Sequence, residues 1–107
     1  MAKVLVVDDS STVRNEVSEF LSSNGLNVIT AVDGKDGISK FQANPDVRLI
    51  LSDVNMPIMD GVAATREIME THPDIRIIIL TMYRHDDLVF RAIKAGAHDY
   101  LSKPFEL

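Results

Sequence analysis

The sequence predicts an α/β domain, a parallel sheet with helices on both faces. Three observations predict it. Short aliphatic runs, each long enough only for a strand, recur four times along the 107 residues, and a fifth short segment, Asp99-Tyr100-Leu101, follows them. Stretches with apolar residues at helical spacing alternate with them. Glycine, asparagine and proline stand at the junctions. Strand, helix, strand, repeated in this way, is the pattern of parallel crossover units.

The elements follow in order. Lys3-Val4-Leu5-Val6-Val7 is uninterrupted and apolar, as a strand buried on both faces requires. Val13, Val17, Phe20 and Leu21 then recur at helical spacing, and Asn24-Gly25 closes that helix. Asn27 to Ala31 is the second strand. Asp33 can cap a helix carrying Ile38 and Phe41, which Asn44-Pro45 stops. Leu49-Ile50-Leu51 is the third strand. A helix over 61–71 has Ala64 and Ile68, and Thr65 and Met69, spaced by four. Ile75 to Leu80 is the fourth strand. Asp86 to Ala95 is a helix with Leu88, Ala92 and Ala95 on one stripe and Gly96 as its cap. Asp99-Tyr100-Leu101 is a short fifth strand at the sheet edge.

Composition narrows the function classes. An apolar fraction of 46% and a charged fraction of 25% are ordinary for one globular domain with a real core. The net charge of −5 argues against a nucleic-acid backbone as partner. There is no cysteine, hence no disulfide, thiolate nucleophile or thiolate metal site. No apolar run approaches the ~20 residues that span a bilayer, and MAKVLVVDDS lacks the apolar region of a signal peptide. A cytoplasmic location with no membrane partner is expected.

In an open parallel sheet, ligands bind beyond the carboxyl ends of the strands. The first strand delivers Asp8 and Asp9 to that rim, the third Asp53, the fourth Thr81 and the fifth Lys103. Asp33, after the second strand, is expected to serve only as a cap. Taken singly, each has an ordinary reading: Asp8 or Asp9 as a helix cap, Asp53 as a turn residue, Thr81 as a β-former, Lys103 as a solvated lysine. Convergence of all five on one rim carries the argument. Carboxylates crowded together repel, and a divalent cation relieves that repulsion. Hard oxygen ligands select Mg²⁺, which prefers six-fold geometry and keeps several waters. A weak, partly hydrated Mg²⁺ site held by Asp9 and Asp53, with a backbone carbonyl, is expected. Such a site suits phosphoryl transfer, in which a carboxylate can be the nucleophile. Asp53 is the nucleophile by its central position, with Lys103 and Thr81 placed to bind phosphoryl oxygens.

With these residues in view, the chain resembles the receiver domain of two-component response regulators and is similar to the single-domain chemotaxis type. VLVVDDSSTVR, LILSDVNMPIMDG, IIILTM and AGAHDYLSKPF carry the resemblance, in order, from residue 3 to about residue 105. The resemblance implies strand order 2-1-3-4-5. It implies that Asp53 accepts a phosphoryl group from a histidine kinase's phosphohistidine, a phosphotransfer protein or a small phosphodonor. Asp8, Asp9, Asp53 and the Asn55 carbonyl would organise Mg²⁺, Asp8 through water. Thr81 and Lys103 would bind the phosphoryl group. Thr81 and Tyr100 would form the switch that controls an output partner, and the Lys103-Pro104 bond would be cis. Packing on an edge strand, hydroxyl in water, is the ordinary reading of Tyr100. His72, His85 and His98 lack metal-ligand spacing, and Met56 and Met59 are expected to pack the loop.

Two features depart from the family pattern. Met82 stands where a small residue is frequent. Nothing follows the fifth strand, so the reading is a single receiver domain over 1–107, truncated before its last helix, with apolar sheet surface left for self-association. Three rivals are weaker. A haloacid-dehalogenase-like phosphatase needs an acid two residues after the nucleophile, where Asn55 stands; the segment is therefore not expected to be an enzyme. A nucleotide-binding module needs a glycine-rich loop after the first strand, which is absent. An interaction domain that ignores phosphorylation would not need the five polar residues.

Overall fold

The computed structural model describes residues 3–53, 61–81, 91, 94 and 96–102, and of these 61–64, 80, 81 and 99–102 through their backbone. Five parallel strands form one sheet. In chain order the elements are β1 (Lys3–Val7), α1 (Ser11–Ser23), β2 (Asn27–Ala31), α2 (Gly34–Ala43), β3 (Val47–Asp53), α3 (Gly61–Thr71), β4 (Arg76–Thr81) and β5 (Asp99–Ser102). The strands lie in the order β2-β1-β3-β4-β5, as the resemblance implied. Arg91 and Lys94 occupy helical positions, while the rest of the helix expected over 86–95 lies outside the described residues.

The two faces of β1 explain its unbroken apolar run. Leu5 and Val7 enter the cluster containing Phe41 of α2 and Ile68 of α3. Val4 and Val6 enter a second cluster with Val17 of α1. Alternate side chains of one strand thus serve opposite layers.

Four expectations need correction. β3 runs two residues beyond Leu49–Leu51 at each end. Exposed Arg48 breaks the apolar run, yet Val47 pairs with Lys3 and Asp53 with Leu80, so backbone pairing continues through the polar positions. β4 begins at Arg76, because the Ile75 amide donates to the His72 carbonyl and closes a turn. β5 extends by one residue, to Ser102. Phe20 is 39% exposed although it shares the helical spacing of α1. The stripe facing the sheet is Val13, Val17 and Leu21, four residues apart, and Phe20 sits at its margin. On that face Leu49 and Ile78 remain half-buried, and α1 is the helix packed there among the described residues.

Helix ends behave as the sequence indicates. The Asp33 carboxylate accepts the Asp36 amide at 2.7 Å, which makes it the α2 cap. Asn24 and Asn44 cap the C-termini of α1 and α2. At the amino-terminal rim, Lys3 Nζ lies 2.8 Å from Asp46 and holds its carboxyl below the usual carboxylate range. Among the described residues, no helix is long and apolar enough to cross a membrane.

Candidate functional site

The register of the sheet builds the site. Val7 at the end of β1 pairs with Ser52, so the next step sets Asp8 beside Asp53. One carboxylate oxygen from each of Asp8, Asp9 and Asp53 lies within 4.8 Å of the others. Asp8 is fully buried, Asp53 is buried and Asp9 is exposed. Leu80 pairs with Asp53, so Thr81 is the next backbone position along the same rim, opposite Ser102 of β5.

Backbone bonds hold the acids in place. The Asp8 amide donates to the Ala31 carbonyl at 3.1 Å, tying the end of β1 to β2. The Asp8 Oδ1 accepts the Ser10 amide at 2.9 Å, an Asx turn that leads into α1. Ser10, not either aspartate, is the α1 cap: its hydroxyl accepts the Val13 amide at 3.3 Å. The reading of Asp8 or Asp9 as a simple cap is thereby replaced. The Ser52 hydroxyl donates to the Asp53 carbonyl at 3.0 Å at the end of β3. Arg14 donates from Nη1 to the Asp8 carbonyl at 2.7 Å.

The donor set is all hard oxygen, with two of its three members buried. Burying carboxylates is costly unless charge compensates them. Ligands trans across Mg²⁺ stand about 4.2 Å apart and across Ca²⁺ about 5 Å. A spread of up to 4.8 Å is therefore within a small side-chain adjustment of a divalent cation's first shell. The arrangement fits such an ion.

Of the other expected site residues, Thr81 is at the carboxyl end of β4 and Tyr100 is in β5 opposite Ile79. Their side chains are outside the description, as are Asn55, Lys103 and Pro104 entirely, with Met56, Met59, Met82 and His85. His72 and His98 are exposed and lie outside the acidic cluster, as expected. Each does more than face water. His72 meets Phe41 edge-on at 4.7 Å, and His98 Nδ1 accepts the Ile77 amide at 3.2 Å. Arg14, and the bond that His98 makes, escaped the sequence reading because each serves a backbone group.

Comparison with known proteins agrees with this geometry. The model of the response regulator receiver domain matches residues 4–107. The chain is similar to the chemotaxis protein CheY of Treponema pallidum, 40% identical over 106 residues, covering 97% of this chain and 74% of that protein. It is 46% identical over 109 residues to a protein-glutamate methylesterase/protein-glutamine glutaminase of Vibrio cholerae, spanning 28% of that protein's length. Among solved structures, a CheX-CheY-BeF3-Mg²⁺ complex from Borrelia burgdorferi has a chain that superposes with a TM-score of 0.91 at 31% identity. The match covers 98% of this chain and 80% of that one.

Proposed function

The chain belongs to the response regulator receiver domain family, whose general function is phosphorelay signalling through an aspartate, and on that premise we propose that Asp53 is its phosphoacceptor. The observation that carries the proposal is the meeting of Asp8, Asp9 and Asp53 within 4.8 Å at the carboxyl rim of the sheet. An Asp53 oxygen attacks the phosphorus of a phosphohistidine. The new P–O bond forms as the P–N bond breaks, and the imidazole leaves with the electron pair. Asp8, Asp9, Asp53 and the Asn55 carbonyl are the residues to hold Mg²⁺, whose contribution is to neutralise charge on the phosphoryl oxygens. Thr81 and Lys103 bind those oxygens, and Thr81 with Tyr100 passes the change to an output partner.

The donor is a sensor histidine kinase or a phosphotransfer protein, in the cytoplasm. Exposed Phe20 on α1, and half-buried Leu49 and Ile78 on the sheet face that α1 covers, support self-association of the chain. The share of length matched in the methylesterase relative limits the likeness to that segment, and catalysis is not assigned to this one.

The test is incubation with Mg²⁺ and a small acyl phosphate, followed by mass mapping of the modified residue. The expected result is one phosphoryl group on Asp53, absent when Mg²⁺ is withheld and absent in Asp53→Asn. Phosphorylation that survives Asp53→Asn overturns the assignment. Sustained turnover of phosphate esters overturns the signalling reading in favour of a phosphatase.

A further inference from the structure

We propose that Arg14 is a positioning residue for the cation site, an inference that rests on the assignment of Asp8, Asp9 and Asp53 as the acids that hold the cation. Its guanidinium holds the carbonyl of Asp8 and thereby aims the carboxylate of Asp9.

The geometry is specific. Arg14 Nη1 donates to Asp8 O at 2.7 Å, at the short end of charge-assisted bonds. That carbonyl belongs to the peptide joining Asp8 to Asp9. With Asp8 held just beyond the end of β1, the direction of its carbonyl fixes its ψ and so where the chain carries Asp9. The amide of Asp8 is tied to Ala31 at 3.1 Å on the amino side, and its side-chain Oδ1 accepts the Ser10 amide at 2.9 Å on the carboxyl side, leaving its own carbonyl to Arg14. Arg14 closes the remaining freedom.

Asp9 is the member of the triad that needs such help. Asp8 and Asp53 are buried, so packing sets their rotamers, whereas Asp9 is exposed. Among the described residues no hydrogen bond holds its carboxylate in place. The position of its oxygen near Asp53 is inherited from the backbone at residues 8 and 9.

The position of Arg14 in sequence follows from the turn. The Arg14 amide donates to the Ser10 carbonyl at 3.0 Å, so Arg14 lies one turn into α1. Helical side chains point back toward the N-terminus, which sends the guanidinium down onto the Asp8-Asp9 turn. Arginine suits the task, because a half-buried guanidinium stays charged and offers several donors.

Two other roles are separable. If Arg14 acted only as a nearby positive charge, its removal would tighten divalent-cation binding. If it only steadied α1, its removal would lower stability and leave the cation affinity of the folded protein unchanged.

The experiment titrates Mg²⁺ by calorimetry into the 107-residue chain and into Arg14→Met, Arg14→Lys and Asp9→Asn. Far-UV circular dichroism checks that each is folded. The expected result is a roughly tenfold weaker dissociation constant for Arg14→Met, the loss typical of an outer-shell partner. Arg14→Lys, which keeps a charged donor, is expected to stay within about threefold of the parent. The three-bond amide coupling of Asp9, which reads its φ without any metal, is expected to change in Arg14→Met and not in Arg14→Lys. An Arg14→Met constant equal to or tighter than the parent's overturns the inference, as does a lysine variant as weak as the methionine one. Should Arg14→Met fail to fold, Arg14→Gln, too short to reach the carbonyl, carries the same expectation. A parent chain that binds no Mg²⁺ overturns the assignment of the acids and this inference with it. A parent that binds beside an unaltered Arg14→Met overturns this inference alone.

Discussion

Asp9→Asn is expected to raise stability without metal and to remove most of the stabilisation that Mg²⁺ confers on the parent. Both effects have one cause. Asp9 places a third carboxylate within 4.8 Å of two buried ones. At that separation each like-charge pair costs about 1 kcal/mol even in bulk water, and more beside a protein. Asparagine removes both repulsions that involve residue 9. It leaves in place the bonds from Asp8 to the Ala31 carbonyl, the Ser10 amide and Arg14. Asp9 is exposed, so the substitution buries no new polar group. A net gain of about 1 kcal/mol is expected at low ionic strength, shrinking as salt screens the exposed charge. In Mg²⁺ the order reverses. The parent gains stability with the logarithm of ion concentration over its dissociation constant. The variant, with one fewer charged ligand, is expected to bind at least tenfold more weakly. Thermal unfolding with and without millimolar Mg²⁺ reads both. An Asp9→Asn protein that melts lower than the parent without metal would show that the three acids are not in mutual repulsion. Equal Mg²⁺ stabilisation of the two would remove Asp9 from the site.

The sheet and the acids were legible for the same reason. A strand that leads into a carboxylate announces both its direction and its contents: the first and third apolar runs did so for Asp8 and Asp53, and the fourth for the backbone position of Thr81. What stayed hidden was whatever acts through backbone. β3 continues through exposed Arg48 and into Ser52 and Asp53 because neighbouring strands pair with it, and no side-chain pattern records that pairing. Arg14 bonds a carbonyl and His98 Nδ1 accepts an amide, so neither has a partner side chain to betray it. Phe20 failed differently. Spacings of three and of four both satisfy a helical period, but they drift to opposite sides of the stripe. Only the placement of α1 on the sheet decides that Val13, Val17 and Leu21 face inward and Phe20 does not.

Gly96→Ala is expected to destabilise the fold by about 2–4 kcal/mol, through two separable costs. The residue has φ +124°, a conformation that L side chains rarely adopt, and forcing alanine into it costs on the order of 1–3 kcal/mol. Its new Cβ would also stand 2.8 Å from Met69 Cγ and 3.2 Å from Met69 Cβ. The first contact is closer than carbon atoms tolerate. Met69 packs against the main core cluster, and its Cβ is fixed to the α3 backbone, so swinging the side chain relieves only part of the crowding. The chain cannot easily move away either. Ala97 is buried next door, and the His98 amide bonds the Ile77 carbonyl at 2.8 Å, fixing the entry into β5. Thermal unfolding is expected to shift down by about 10 °C or more at this domain size. Adding Met69→Ala separates the costs in a double-mutant cycle: the part from the Met69 Cγ contact is recovered, while the backbone part and the Cβ contact remain. A Gly96→Ala protein within about 0.5 kcal/mol of the parent would mean that residue 96 does not hold this φ in solution. The consequence reaches the rim, because β5 starts three residues later and sets Ser102 opposite Thr81. A shifted turn at Gly96 slides that pairing, and with it the backbone position of Ser102 at the carboxyl rim.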